Sequence, residues 1–241
     1  MKAIKFSMWT LGLIVSVLSF GSCDTDSDDN QSRKTALVTV YPQSSGGFSM
    51  QLDSVIQLVP SNMSASPFGT KRVRALVCYT DEGLSDEYIH HVHIHWMDSI
   101  RTKLPVLTTG LNDAVTYGND PIEIVRDWVS VAEDGYLTLR VRTLWGNGNK
   151  HVINLVSGVN KDNAYELTLR HNAQGDTHGQ LGDALIAFDL NSLWANHPDK
   201  VDIKLNWKSF SGQKSIELTM GMHSSAVFDS VPWALFCNNL E

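Results

Sequence analysis

Apolar and polar residues alternate with a period of two through most of this 241-residue chain, and that rhythm leaves one fold class open. VDIKLNW puts Val201, Ile203, Leu205 and Trp207 on one side, with Asp202, Lys204 and Asn206 on the other. RVRALVCY separates Val73, Ala75 and Val77 from Arg72, Arg74, Leu76 and Cys78, and YLTLRVRTL, AYELTLRH and SIELTM repeat the pattern around Leu139, Leu167 and Leu218. Successive side chains of a strand point to opposite faces, so these runs are half-buried antiparallel strands. Turn chemistry separates them: an Asn-Gly hairpin signal in WGNGNK (145–150), a polar glycine-rich loop at 172–183, and FSGQK at 210–214. Helical spacing is confined to LNSLWANH (190–197). The chain is all-β. Gly118, Asn119, Asp120 and Pro121 form a turn cluster that divides it. Residues 36–117 have the size of a small five-stranded barrel, and residues 118–241 suffice for an antiparallel sandwich of about seven strands.

Residues 1–22 read as a lipoprotein signal peptide rather than as part of the fold. Lys2 and Lys5 precede an uncharged apolar run at 8–20. That run is too short to span a bilayer, which takes ~20 apolar residues. The FGSC that follows resembles a bacterial lipobox, in which Cys23 becomes the lipidated first residue. Residues 23–35 hold no apolar residue after the cysteine, so they cannot offset their ordering entropy and form an acidic tether. Asp24, Asp26, Asp28 and Asp29 in that tether are similar to the surface-export signal of Bacteroidota lipoproteins. An exported chain can form disulfides, and Cys78 and Cys237 are the remaining cysteines. Whether they pair is decided by how close the fold brings their Cα atoms.

YTDEG (79–83), DPIEIVRDW (120–128), GYLTL (135–139), KHVINLV (150–156), LTLRHNAQGD (167–176) and FDL (188–190) together resemble the NigD-like lipoproteins of Bacteroidota. The resemblance covers the mature chain and implies an OB domain over 36–117 followed by a β-sandwich over 118–241. Its motifs are structural and imply no activity. The family's name comes from a bacteriocin-associated operon.

A net charge of −7 argues against a nucleic-acid partner, whose binding surfaces are positive. No G-x-S-x-G, H-E-x-x-H, G-x-x-x-x-G-K or paired C-x-x-C occurs, so no catalytic residue and no cofactor is assigned. The dense cluster is YIHHVHIHW (88–96). In a strand, His91, His93 and His95 share an outward face, while His90, Val92, Ile94 and Trp96 take the core side. Positions i and i+2 lie ~6.6 Å apart and can share a Zn²⁺, whereas i and i+4 at ~13 Å cannot. With no second H-x-H to complete a site, the ladder reads as a solvated polar face that picks up Ni²⁺ or Zn²⁺ only adventitiously. His151 and His171 lie on apolar faces and read as hydrogen-bonded residues at the edge of the sandwich core. Trp96, Trp128 and Trp207 read as core. Trp145 in a hairpin tip and Trp194 in a loop are the candidate exposed platforms for a sugar ring.

These features describe a non-catalytic lipoprotein of the outer membrane, facing the cell exterior and touching the membrane through its lipid anchor alone. It is expected to bind a glycan, a peptide or an envelope protein, with His91, His93, His95, Trp145 and Trp194 as the candidate contact residues. A hydrolase acting on envelope or dietary polymers is one competing reading, and a bacteriocin-associated immunity or protective lipoprotein is another. The processing signal generates a test. Cys23→Ala should release the chain into a soluble fraction. Replacing Asp24, Asp26, Asp28 and Asp29 with Ala should keep it anchored but protect it from protease added to intact cells, which digests the wild type. Equal digestion of both would reduce the aspartates to a solvated tether.

Overall fold

A computed structural model of the chain describes residues 32–44, 46–84, 87–194 and 198–222. Cys23, the four tether aspartates and Cys237 lie outside these residues. Five strands close a barrel: β1 (Lys34–Pro42), β2 (Phe48–Gln51), β3 (Gln57–Pro60), β4 (Val73–Leu84) and β5 (Ile89–Ser99), in the order β1-β2-β3-β5-β4. Only β3 and β5 run parallel within it. So small a barrel has room inside for side chains alone. Val38, Val40, Met50, Ala75, Val77 and Val92, all inaccessible, fill it. The alternation of β4 is obeyed: Ala75, Val77 and Tyr79 face inward, which leaves Arg74, Leu76, Cys78 and Thr80 on the outer wall. Cys78 is buried there and bonded to no described cysteine.

The rest forms a two-sheet sandwich. Its elements are β6 (Thr102–Lys103), β7 (Val106–Leu107), α1 (Asp113–Tyr117), β8 (Glu123–Val125), β9 (Val131–Glu133), β10 (Tyr136–Trp145), β11 (Val152–Ser157), β12 (Glu166–Asn172), β13 (Gln180–Asp189), β14 (Lys200–Ser209) and β15 (Gly212–Gly221). One sheet runs β6-β13-β10-β8, with β9 also on β10, and the other runs β15-β14-β12-β11-β7. Leu137, Leu139 and Phe188 of the first meet Leu155, Leu167, Leu205 and Trp207 of the second.

Three expectations from sequence change. WGNGNK is no hairpin, because β10 and β11 belong to different sheets and the segment crosses between them. The amides of Gly146 and Asn147 bond the Asp176 carboxylate instead of a strand ladder. The barrel ends at Ser99, and β6 and β7 already pair with β13 and β11, so residues 102–117 belong to the sandwich. Gly118 is no linker either: a Cβ there would lie 2.4 Å from the His171 carbonyl oxygen. Lastly, α1 is too short to leave a periodic signature. Its Asp113 carboxylate is held by the Thr108 and Thr109 hydroxyls and the Thr109 amide.

Barrel and sandwich are locked by a two-residue turn between β9 and β10. Asp134 (φ 52°) and Gly135 (φ 74°) both adopt positive φ, the type I′ geometry that favours Asp-Gly. The turn sets two carboxylates against the barrel. Arg74, 1% exposed, donates from Nη2 to Glu133 Oε1 at 2.6 Å and from Nη1 to Thr39 Oγ1 at 2.7 Å. The Tyr41 hydroxyl donates to Asp134 Oδ2 at 2.6 Å. Burial, reinforced by that carboxylate, pushes the Tyr41 phenol far above its usual range, so it remains a donor. Leu37, Leu76, Ile100, Val129, Leu185 and Ala187 seal the remainder of the seam. Removing one partner of a buried ion pair strands the other charge, at a cost of ~3 kcal/mol or more. Glu133→Ala should therefore lower the urea-unfolding free energy by about that amount, and adding Arg74→Met should restore much of it. Strictly additive losses would show that the pair does not join the two halves.

Candidate functional site

The histidine ladder occupies β5, and a bulge at its last histidine changes the face of the residues that follow. Cys78 pairs with Trp96 and Tyr79 with Ile94, so His95 is the extra residue. A bulge shifts the alternation by one. His95 and Trp96 therefore both point outward and Met97 resumes the core face. Trp96, expected in the core, is 43% exposed. The rings of His93 and His95 stand 5.2 Å apart. His95 Nε2 meets Thr80 Oγ1 at 2.7 Å, and His93 Nε2 meets Asn62 Nδ2 at 3.3 Å. Desolvation, then the charges of Arg33 and His93, hold the His95 imidazole below its ordinary value. His90 is half-buried rather than in the core, with Nδ1 3.0 Å from Asp81 Oδ2, and His91 lies half-buried opposite Gly83. Among the described residues, no three His, Cys, Asp or Glu side chains converge as a metal site requires.

The tryptophans exchange roles. Trp145 stacks on His151 with centroids 4.0 Å apart and donates to the Gly182 carbonyl. Trp194 lies edge-on to Tyr165 and donates to the Ala164 carbonyl. Neither is a free platform. Trp207 is core, as expected, but Trp128 is 58% exposed. The Asp127 carboxylate accepts from the Val129 and Ser130 amides, and this turn ends the strand pattern that DPIEIVRDW suggests and swings the indole outward. Trp128 walls a groove of about 300 Å³ at the seam with Leu76, Val129, Ala184, Leu185, Arg140 and Asp183. Arg140 bridges Asp127 at 2.8 Å and Asp183 at 2.6 Å, and Arg142 reaches Asp183 at 2.6 Å. The hydrogen bond from Arg142, with Arg140 beside it, draws the Asp183 carboxyl down to about 2.

His151 and His171 form a buried chain that sequence spacing could not show. His171 Nδ1 lies 3.2 Å from the Pro121 carbonyl oxygen, His151 Nδ1 lies 2.9 Å from His171 Nε2, and His151 Nε2 lies 3.4 Å from Asp176 Oδ2. The carbonyl can only accept, so Nδ1 carries the His171 proton, and its Nε2 accepts from His151. Both rings are structural, as expected of residues on apolar faces. Burial, with the neighbouring His151 ring adding to it, holds the His171 imidazole below its ordinary value, while the bond to Pro121 opposes the shift. An unfolded His171 then takes up a proton near the ordinary imidazole value of 6.5, before the folded one does. Stability tied to this residue is therefore full above that pH and is lost as pH falls below it. Chemical denaturation at pH 7.5 and pH 5.5 should show a loss at the lower pH that shrinks in His171→Gln. An unchanged pH dependence in that variant would place the sensitivity elsewhere.

Comparison with known proteins follows the same two-part division. A family profile described as the NigD-like N-terminal OB domain matches residues 37–100, and one described as the NigD-like C-terminal beta sandwich domain matches residues 105–220. Among solved structures, a candidate toxin-related protein from Parabacteroides distasonis is 28% identical, with a TM-score of 0.67, over 82% of this chain and 98% of that one. A NigD-like immunity protein from Bacteroides caccae is 21% identical, with a TM-score of 0.54, over 76% of this chain and 90% of that one. A candidate lipoprotein from Bacteroides fragilis is 11% identical, with a TM-score of 0.54, over 81% of this chain and 100% of that one. The last two show the fold alone. No curated protein sequence matches the chain. Matched by both domain profiles in order, the chain belongs to the NigD-like family.

Proposed function

We propose that this protein is a lipid-anchored envelope lipoprotein that captures an extended neutral glycan along the outer wall of the seam between barrel and sandwich. The exposed indole of Trp128 over the seam groove carries the reading. An aromatic ring offers a broad apolar face to the C–H surface of a sugar. Beside it, Arg140 and Asp183 neutralise each other and still present planar donors and acceptors suited to hydroxyl groups. Leu76 of the groove and Cys78 sit two residues apart on the same wall of β4, ~6.6 Å along the strand. Trp96 lies opposite Cys78, so a second exposed indole belongs to the same wall. Two exposed indoles on one wall suit successive units of a polymer rather than a single sugar.

The lipobox at Cys23 and the acidic tether support anchoring with the protein facing outward, and the lipoprotein-like neighbour agrees with the anchor. The one carboxylate lining the groove speaks for binding over hydrolysis. Asp183 is committed to two arginines and stays ionised to about pH 2, so it has no proton to give a leaving group at neutral pH. A protein ligand on the same wall is the second reading, favoured by the neighbour described as an immunity protein.

Calorimetric titration of the soluble chain against neutral oligosaccharides and peptidoglycan fragments tests the proposal. Trp128→Ala should weaken the best ligand at least tenfold at unchanged melting temperature, and Trp96→Ala should weaken long oligomers more than short ones. The glycan reading fails if no glycan binds or if Trp128→Ala binds as the wild type does. In that event, a proteinaceous bacteriocin bound by the wild type and lost in Trp128→Ala would carry the second reading.

A further inference from the structure

On the other side of the loop that carries Trp128 lies a second cavity, and the strand register explains why it exists. β8 pairs with β10 at Arg140 to Arg142, and β9 pairs with it at Tyr136 to Thr138. Leu139 falls between the two stretches with no partner on that edge, because residues 126–130 leave the ladder. The interruption is built, not accidental. Asp127 Oδ1 holds the Val129 and Ser130 amides, and the Ser130 hydroxyl donates to the Val125 carbonyl while accepting from the Arg140 amide. The gap opens the interior of the sandwich. A cavity of about 330 Å³ is left between Ile124 and Leu139 of one sheet and Leu205, Trp207, Ile216 and Leu218 of the other.

Its polar groups are unevenly satisfied. Asp127 and Ser130 at its mouth are occupied by the bonds just described, and the second Asp127 oxygen is taken by Arg140. Arg126, exposed at the mouth, makes no hydrogen bond or ion pair with any described residue. Trp207, 4% exposed in the cavity wall, has a buried indole N–H with no hydrogen-bond partner. A buried donor left unmade is costly and rare in a native fold. Among the described residues, Arg126 is thus an unpaired cation at the mouth, and Ile124, Leu139, Leu205, Ile216 and Leu218 make most of the remaining wall hydrocarbon. The complementary molecule has an anionic acceptor at one end and an aliphatic body. At a liquid-like ~30 Å³ per heavy atom, the cavity holds roughly ten such atoms.

We propose that this cavity binds an aliphatic carboxylate of roughly eight carbons, with Arg126 taking the head group and the gap above Leu139 admitting the chain. Ile216 and Leu218 do not line the seam groove, so this site and the glycan reading stand or fall separately. The test uses the full mature chain carrying Cys23→Ala, since the acyl chains of an anchor would compete. Octanoate, 1-octanol and octylamine are titrated calorimetrically. Octanoate should bind saturably at one site, at least tenfold tighter than octanol, and octylamine should not bind. Arg126→Gln, a change of an exposed residue, should bring octanoate down to the level of octanol without altering the melting temperature. Filling the cavity with Leu218→Trp, or with the milder Ile216→Phe should the first not fold, should abolish both. The proposal is overturned if wild type binds octanol as tightly as octanoate, if Arg126→Gln binds octanoate unchanged, or if no saturable heat is seen.

Discussion

A guanidinium sealed from water governs this molecule. Arg74 sits on the outer wall of the barrel and is 1% exposed, a position a cation holds only when its donors are met by well-placed acceptors. The barrel supplies one, Thr39, and the sandwich supplies Glu133, carried to the contact by the Asp134–Gly135 turn. Satisfying Arg74 thus fixes the two halves against each other, and Tyr41 with Asp134 repeats the arrangement beside it. Leu76, two residues from Arg74, then has no choice but to face Val129 and Leu185, and the wall that carries the proposed glycan strip follows.

The second constraint is the broken edge of β10. A continuous partner strand would have closed the sandwich and kept residue 128 within a ladder. Instead Asp127 folds the chain back on itself, and Arg140 ties that turn to Asp183 on the opposite neighbour of β10. One short interruption therefore displays Trp128 on the seam side and opens the apolar cavity on the other. Both candidate ligand sites come from the same few hydrogen bonds.

Much of the scaffold was legible because long alternating strands have a face that cannot be misread. Val201, Ile203, Leu205 and Trp207 all reach the core, and so do Ala75 and Val77. The lost information lay where the period breaks or where distant segments meet. A single bulge at His95 moved Trp96 from core to surface. The Asp127 turn did the same for Trp128, although DPIEIV reads as an ordinary strand. Trp145 and Trp194 looked exposed because their covers, His151 and Tyr165, come from other segments of the chain. The Asn-Gly of WGNGNK carries a genuine turn signal, but local chemistry does not tell a hairpin from a crossing between sheets. The outward histidines were readable as such; the Asp176–His151–His171 chain needed the fold to bring it together.

Barrel and sandwich, joined through Arg74, should unfold as one cooperative body. Differential scanning calorimetry of the soluble mature chain tests this most directly. A single transition whose calorimetric and van't Hoff enthalpies agree is the predicted result. Two resolved transitions, or a van't Hoff enthalpy well below the calorimetric one, would show that the halves unfold independently and would contradict the account.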